Sequence, residues 1–427
     1  MKLSRTILTL LATVGCSSSP SATTDDAGII PQQDQEAGPA ATTGYLLFNP
    51  TSSKTTYLTD TSGHIVHTWT TTRPPGLGIR LLANGDLLRA EQSDSSKSFG
   101  TGGGSGGQIT LYDWDGAVKW TVPYATSEHL QHHDVEMLPN GHVLFTAWEK
   151  ETGADAIAKG RNPSTIPASN EIWSDSVMEL DPTTPAIVWE WHAWDHLLQP
   201  GQVASEHPEL LDLNKGGMAS EDWLHLNSLR YSPTLDRILV SSHNMSEIWI
   251  IDHKSGNLMY RWGNPSSYGA SGDRQLYGQH CARFIEPGLP GAGNITIFDN
   301  GQNRKPSYSR ALEITPPDSN GDAYTRSAGT AFGPGTPTWS WQGPGDGTSF
   351  YADMFSSVQR VASGNTVITN GPAGTFFEVD PSGAVQWSFQ LTAPKGGSVS
   401  TYQIERIESN DARLDGRTLT AGEVVTL

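Results

Sequence analysis

The sequence predicts an all-β fold, a six-bladed β-propeller whose ring is closed by both ends of the chain. Turn-forming residues recur along the 427 residues, with 45 glycines and 27 prolines, whereas signals for helices are scarce. A hairpin unit also recurs, in which an alternating apolar strand, an Asp, a Gly-containing turn and a second strand lead to a Trp. Repetition of one such unit is the sequence signature of a propeller or a related array.

The hairpin unit occurs six times, as in "TYLTDTSGHIVHTW" and "ITLYDWDGAVKW", and one copy is degenerate. The copies end at Trp69, Trp120, Trp191, Trp262, Trp341 and Trp387. A second hairpin with an Asn-Gly or similar turn lies between copies, as in "IRLLANGDLLRAE". Two hairpins make a four-stranded blade, so the repeats predict one propeller domain over residues 44–427.

The two ends of this domain are predicted to share a blade. The segment "STYQIERIES" near the C-terminus is typical of an inner strand, and "GYLLFN" at residues 44–49 would complete its sheet. Pairing of these segments would close the ring and leave no free strand edge.

Residues 1–16 resemble a lipoprotein-type signal peptide, which is not part of the folded domain. Two basic residues precede an apolar run too short to span a bilayer, and small residues lead to Cys16, the predicted lipidated residue. An ordinary secretory signal is the alternative. Residues 17–43 have almost no apolar content and predict a disordered tether. We therefore expect an exported protein of the bacterial cell envelope, lipid-anchored at the outer membrane and facing the periplasm or the cell surface.

The formal net charge of −18 bears on the partners of the protein. An acidic surface argues against nucleic acid and against electrostatic adhesion to anionic lipid, so the lipid anchor is the expected membrane contact. Once Cys16 is lipidated, Cys281 has no partner for an intramolecular disulfide.

Histidines recur where the innermost strands are predicted to begin. These strands line the channel of a propeller, and they can be aligned on the apolar residue before each turn. Five residues before it stand Leu77, His133, His280, Ser356 and Tyr402. In the remaining blade His225 falls near this position, and Asn227 points to the same side of the strand. The repeat does not require histidine there, so three histidines predict an active site at the channel mouth, with Ser356 and Tyr402 as candidates for binding substrate.

Three segments resemble the bacterial arylsulfate sulfotransferase family: "QHHDVEMLPNGHVL", "DWLHLNSLRYSPTLDRILVSSHNMSEIWIID" and "GQHCARFIEPGLPGAGNITIFDNG". The resemblance runs from about Gly44 to the C-terminus and implies a six-bladed propeller. It implies an enzyme that moves a sulfuryl group from a phenolic sulfate ester to a phenol through a covalent sulfohistidine. No nucleotide sulfate donor and no other cofactor or metal is implied.

The resemblance also implies roles for individual residues. His280 matches the nucleophile of the family, and His133, His225 and Asn227 match its other site residues. Two positions depart from the family pattern. His243 stands where the family has an arginine, and it can supply that positive charge only when protonated. Cys281 stands where the family has an Asp after the nucleophile.

Two other classes of function are compatible with the same residues. His133, His225, His243 and His280, with Cys281 nearby, could instead hold copper, zinc or iron through their imidazoles. The propeller could also be a lipoprotein that binds an aromatic or sulfated ligand, or another protein, without turnover. The transferase hypothesis has a physical basis, because a neutral imidazole attacks at pH 7 without prior deprotonation.

Overall fold

The computed structural model describes residues 43–100, 103–317, 324–344 and 349–427. Six four-stranded antiparallel sheets form a ring, so the predicted six-bladed propeller is confirmed. The predicted signal peptide and nearly all of the predicted tether lie outside the described residues. Within the described ranges the one α-helix, α1, is Gly153–Ala158, and no helix there is long and apolar enough to cross a bilayer.

Each blade after the first takes its four strands consecutively along the chain. Blade 1 comprises β1 to β3 and the C-terminal strand β24: Gly44–Pro50, Thr55–Asp60, Ile65–Thr70 and Thr401–Glu408. Blade 2 comprises β4 to β7: Pro75–Leu81, Leu87–Gln92, Gly107–Tyr112 and Val118–Pro123. Blade 3 comprises β8 to β11: His129–Met137, Val143–Thr152, Glu171–Asp181 and Ala186–His192.

The second half of the ring follows the same order. Blade 4 comprises β12 to β15: Leu226–Ser232, Arg237–Ser242, Glu247–Asp252 and Leu258–Trp262. Blade 5 comprises β16 to β19: His280–Phe284, Ile295–Asp299, Arg310–Ile314 and Trp339–Trp341. Blade 6 comprises β20 to β23: Ser357–Arg360, Thr366–Asn370, Thr375–Val379 and Val385–Gln390.

The tryptophan that ends the hairpin unit links neighbouring blades in five of the six copies. The indole N–H of Trp191 donates to the carbonyl of Gly256, in the outer turn of the next blade, at 3.0 Å. Trp69, Trp341 and Trp387 make the same bond to the following blade around the ring. The core lies between the sheets, where the middle strands are buried on both faces, as in β14. The repeated Trp therefore fixes blade to blade, which explains its place in the hairpin unit.

The ring closes through β24. This strand pairs antiparallel with β1, with Tyr45 opposite Ile407 and Phe48 opposite Ile404. Ile404 and Ile407 are both buried, in clusters that include apolar residues of blade 1. The last strand of the chain thus completes the first blade, as the sequence predicts.

Replacing Ile407 by Ala tests this closure. The substitution leaves a cavity at the junction of the two ends, and we expect it to lower the free energy of unfolding by about 2–5 kcal/mol in urea denaturation. Val118→Ala, at a side chain 57% exposed on an outer strand, is the control and should change stability by less than about 0.5 kcal/mol. Equal effects of the two substitutions would contradict a stabilising role for the closing strand.

Candidate functional site

The innermost strands begin with strained backbone at one end of the channel. Leu77, His133, Cys281 and Ser356 have φ values of 87°, 51°, 48° and 81°. Cys281 is the second residue of β16 and Ser356 directly precedes β20, whereas Leu77 is the third residue of β4 and His133 the fifth of β8. His225, with φ 54°, lies directly before β12 rather than within it. Strain of this kind costs about 1–3 kcal/mol per residue and concentrates at functional sites. The strand pairings are irregular there as well, so the side chains leave the regular alternation of a strand.

Four imidazole rings form a continuous arc at this mouth. The ring centroids of His133 and His225 lie 4.6 Å apart, those of His225 and His243 5.3 Å, and those of His243 and His280 5.4 Å. The rings come from blades 3, 4 and 5. His225 and His243 are partly exposed, whereas His133 and His280 are buried behind them. A ligand entering from solvent would therefore reach the buried pair through the exposed pair.

The neighbours of His280 decide which of its nitrogens can react. Nδ1 lies 2.7 Å from Oδ1 of Asn300, and the Asn300 amide donates to the carbonyls of Ala352 and Phe355. These two bonds fix the amide orientation, so Oδ1 accepts and Nδ1 of His280 carries the hydrogen. Nε2 then holds the lone pair. Burial, followed by the neighbouring His243, lowers the pKa of His280 well below its ordinary value, so the ring is neutral at pH 7.

His225 is the cation of the cluster. Burial opposes its protonation, but Nδ1 bonds to the Asp222 carboxylate at 2.5 Å, and this pairing raises the pKa of His225 above its ordinary value. The pKa of Asp222 is correspondingly lowered, because the His225 cation outweighs the effect of burial. Since Nδ1 is engaged, Nε2–H of His225 is the donor available to a ligand.

His243 carries no charge at pH 7. Burial and then the His225 cation lower its pKa to about 4, although the hydrogen bond to Asn244 favours the charged form. The family resemblance suggests that His243 replaces the charge of an arginine. The charge instead lies on His225, because only one of several closely spaced imidazoles can be protonated and only His225 has a carboxylate partner.

His133 is buried beneath a glycine-rich segment of blade 2. A Cβ on Gly104, whose φ is 83°, would lie 2.3 Å from Cε1 of His133, so only glycine permits this contact. Nδ1 of His133 lies 2.8 Å from Nδ1 of His132, and Nε2 of His132 lies 3.1 Å from Oδ1 of Asp175. Sequence comparison of the repeats singles out neither His132 nor Asp175. The doublet in "QHHD" is the signal that points to His132.

The other predicted site residues lie below the arc. The fully buried Asn227 donates from its amide to the carbonyl of Gln279, the residue before His280, and Oδ1 of Asn227 has no partner among the described residues. Tyr402 donates its hydroxyl to the backbone carbonyl of Asn227. Ser356 donates to Met354 O and accepts from Gly371 N–H. The Ser356 and Tyr402 hydroxyls and the amide N–H of Asn227 are therefore engaged with backbone, whereas Oδ1 of Asn227 is not.

The opposite mouth of the channel holds a separate cavity. It has a volume of about 400 Å³ and is lined by charged residues from the far ends of the innermost strands, including Arg80 and Arg230. Both arginines bond to the fully buried Asp134, which lies between this cavity and the histidines. The two mouths therefore differ in chemistry: ion-paired arginines at one, imidazoles at the other.

A metal site is the alternative that the histidines raise. Within the described ranges, no group of three or more His, Cys, Asp or Glu side chains has an arrangement that could hold a metal ion. Cys281 is buried and unpaired, and burial raises the pKa of its thiol to about 12, so the thiol is not ionised at neutral pH. The geometry does not favour this alternative.

The fold and the cluster together define a class: a six-bladed propeller that gathers neutral imidazoles and one imidazolium at one mouth of its channel. This combination suits a nucleophile and the stabilisation of an anionic group. Within that class, the chain belongs to the arylsulfotransferase (ASST) family, whose family model matches residues 32–412. Membership supports an arylsulfotransferase-like activity, with a phenolic sulfate as donor and a phenol as acceptor in general.

Comparison with individual proteins adds little to the family match. No curated protein matches the chain. A protein of unknown function from Bacteroides caccae is 11% identical, with a TM-score of 0.47 over 86% of this chain and 100% of that chain. A protein from Lactobacillus plantarum is 12% identical, with a TM-score of 0.45 over 86% of this chain and 100% of that chain. Virginiamycin B lyase from Staphylococcus aureus is 10% identical, with a TM-score of 0.38 over 86% of each chain. Values this low carry no information on activity.

The charge distribution of the cluster can be measured by NMR titration of the histidine Cε1–H signals. We expect His225 to stay protonated above its ordinary pKa and His243 to stay neutral down to about pH 4. Asp222→Asn should lower the pKa of His225, because burial then acts without a compensating charge. Asp380→Asn, in an exposed turn of blade 6, should leave both titrations unchanged. A protonated His243 at pH 7 would refute this assignment.

Proposed function

We propose that this protein is an arylsulfate sulfotransferase that works through a sulfohistidine at His280. The observation that carries the proposal is the hydrogen bond from Nδ1 of His280 to Asn300, which leaves Nε2 with a free lone pair at the histidine-lined mouth. The imidazole is neutral at pH 7 because burial lowers its pKa, so it needs no base to attack.

The reaction proceeds in two displacements. In the first, Nε2 of His280 attacks the sulfur of a phenolic sulfate ester, an N–S bond forms, and the bond from sulfur to the phenol oxygen breaks. In the second, a phenol oxygen attacks the same sulfur and the N–S bond breaks, which regenerates the neutral ring. Transfer of this kind has a loose transition state, so positioning and electrostatic stabilisation supply most of the catalysis.

His225 supplies the stabilising charge in this proposal. Its Nε2–H faces the cluster while Nδ1 is held by Asp222, so it can donate to an oxygen of the transferred group. One preorganised donor aimed at developing charge is worth about 3 kcal/mol. His243 lies between His225 and His280 and lines the site as a neutral polar ring. Asn227 positions the backbone before His280. The ring of Phe355, 6.4 Å from that of His280, offers an apolar surface to an aryl group.

The setting of the enzyme is proposed from the N-terminal sequence. A lipidated Cys16 and a flexible tether over residues 17–43 would hold the propeller within about 30 Å of the outer membrane. The protein would then meet phenols and phenolic sulfates in the cell envelope. The lipid anchor would be its contact with the membrane, and the acidic chain is not suited to nucleic acid.

Covalent sulfation of His280 is the direct test. After mixing with 4-nitrophenyl sulfate and no acceptor, we expect intact-mass spectrometry to show one added sulfuryl group, mapped to His280 by peptide analysis. His280→Ala should lose the adduct and at least about 10⁴-fold in transfer rate. His142→Ala, at a turn far from the cluster, is the control and should retain both. An active His280→Ala enzyme would refute the nucleophile assignment.

The pH profile tests the cation. The activity should fall at high pH as His225 loses its proton above a raised pKa, and at low pH as His280 gains one below a lowered pKa. Asp222→Asn should move the alkaline limb to lower pH, since the His225 pKa falls. His243→Arg adds a permanent cation and should retain activity beyond that limb. An alkaline limb that neither substitution moves would exclude His225 as the charged donor.

A further inference from the structure

Transfer in two displacements requires a proton to be held between them. A basic phenolate must be protonated as it leaves in the first step, and the accepting phenol must lose a proton in the second. The two events are separated in time, so a group of the site that gives up the first proton must stay deprotonated between them.

Of the four rings in the arc, His133 is the one that has a second imidazole as its partner in the described part of the chain. Nδ1 of His280 is bonded to the Asn300 amide, and Nδ1 of His243 is bonded to the Asn244 amide. His225 is held as a cation by Asp222. His133 differs, because its Nδ1 faces a second imidazole, the fully buried His132, at 2.8 Å.

His132 lies between His133 and a buried carboxyl group, at ion-pair distance from the carboxyl group but with no hydrogen bond from Nε2 among the described residues. Its ring stacks on Trp148, with centroids 4.1 Å apart and planes 13° apart, which fixes its orientation. Nε2 lies 3.1 Å from Oδ1 of Asp175, and both side chains are fully buried. Asp175 has no Arg or Lys within ion-pair distance in the described part of the chain, and it accepts the backbone N–H of Leu226 at 2.8 Å. Three titratable groups thus stand in line from the cluster into the interior of blade 3.

We propose that His133, His132 and Asp175 form a relay that gives a proton to the departing phenolate and takes one back from the accepting phenol. This inference rests on the proposed sulfotransferase activity. His133 is the catalytic member, and His132 and Asp175 act through it. The line is closed to bulk water, since the side chain of His133 is covered by Gly104 and the other two have no exposed surface.

The transfers balance without any further reactant. At the start Asp175 is a neutral acid, His132 carries its hydrogen on Nδ1, and His133 carries its hydrogen on Nε2. As the bond between sulfur and the phenol oxygen breaks, Nε2–H of His133 protonates the phenolate, Nδ1 of His133 takes the hydrogen of His132, and Nε2 of His132 takes the hydrogen of Asp175. Both rings end neutral and Asp175 ends as a carboxylate. The accepting phenol reverses each transfer.

The surrounding charges suit this sequence. Burial and then the neighbouring Asp222 carboxylate raise the pKa of Asp175 well above its ordinary value, so it begins protonated. The His225 cation also faces this group and stabilises the carboxylate that forms. His132 faces His225 and Asp222, and His133 faces His225, His280 and His243. Burial and then the His225 cation keep both relay rings neutral, which proton hopping between them requires.

The dependence on the leaving group tests the relay. Asp175→Asn keeps the shape and polarity of the side chain but cannot release a proton. With phenyl sulfate, whose phenolate is basic, we expect its first-step rate of phenol release to fall about 100-fold. With 4-nitrophenyl sulfate, whose phenolate is weakly basic and leaves without a proton, the rate should stay at the wild-type value. His132→Gln should give the same pattern, and it serves if Asp175→Asn does not fold.

A matched control and two contrary outcomes complete the experiment. Glu179→Gln removes another buried carboxylate from β10, the strand that carries Asp175, and should not discriminate between the two donors. Equal losses with both donors in Asp175→Asn and His132→Gln would show a structural role and overturn the relay while leaving the proposed function intact. A wild-type protein that releases neither phenol would overturn both.

Discussion

The site depends on the pairing of β24 with β1. This closure fixes six innermost strands around one axis with their starting ends at the same mouth, so residues far apart in sequence become neighbours. His133 of blade 3 and His280 of blade 5 belong to one cluster because blade 4, which lies between their blades, contributes His225 and His243. The indole bonds between blades help to keep these positions, since they tie blade 3 to the outer turn of blade 4 and blade 5 to that of blade 6. The closed ring can then hold a cluster of mostly uncharged imidazoles in place, although burial of these imidazoles removes their hydrating water.

The four rings differ in function because each has a different neighbour at its second nitrogen. A carboxylate faces His225, amides face His243 and His280, and an imidazole faces His133. Repulsion between like charges allows the arc to hold one extra proton, and the Asp222 carboxylate determines that this proton resides on His225. In the proposed mechanism a cation, a nucleophile and a proton-transfer group are thereby made from one residue type, through the partner of each ring.

The fold could be predicted from sequence because one hairpin unit recurs along the chain. The candidate site could be predicted only in part. The spacing to each turn identifies His133 and His280 directly. It does not identify His132, since neighbouring residues of a regular strand face opposite sides; the left-handed backbone at His133 removes that alternation and brings the two rings together. Asp222 lies three residues before His225 and Asp175 lies on β10, and both fall outside the alignment of the innermost strands on their turns. The protonation state of His243 could not be predicted from sequence either, because it follows from burial and from the position of His225.

The Asn300 amide has a consequence for how such an enzyme could diversify. Its two donor bonds end on the carbonyls of Ala352 and Phe355, in the segment that precedes blade 6, and the Phe355 ring itself lies 6.4 Å from that of His280. In the proposed mechanism the same few residues therefore shape the space for the aryl group and hold the tautomer of the nucleophile. Insertions or substitutions in this segment that widen the substrate range would therefore also alter the nucleophilicity of His280. We therefore expect specificity for new phenols to evolve through residues on the opposite wall of the mouth, which do not also hold the tautomer of His280.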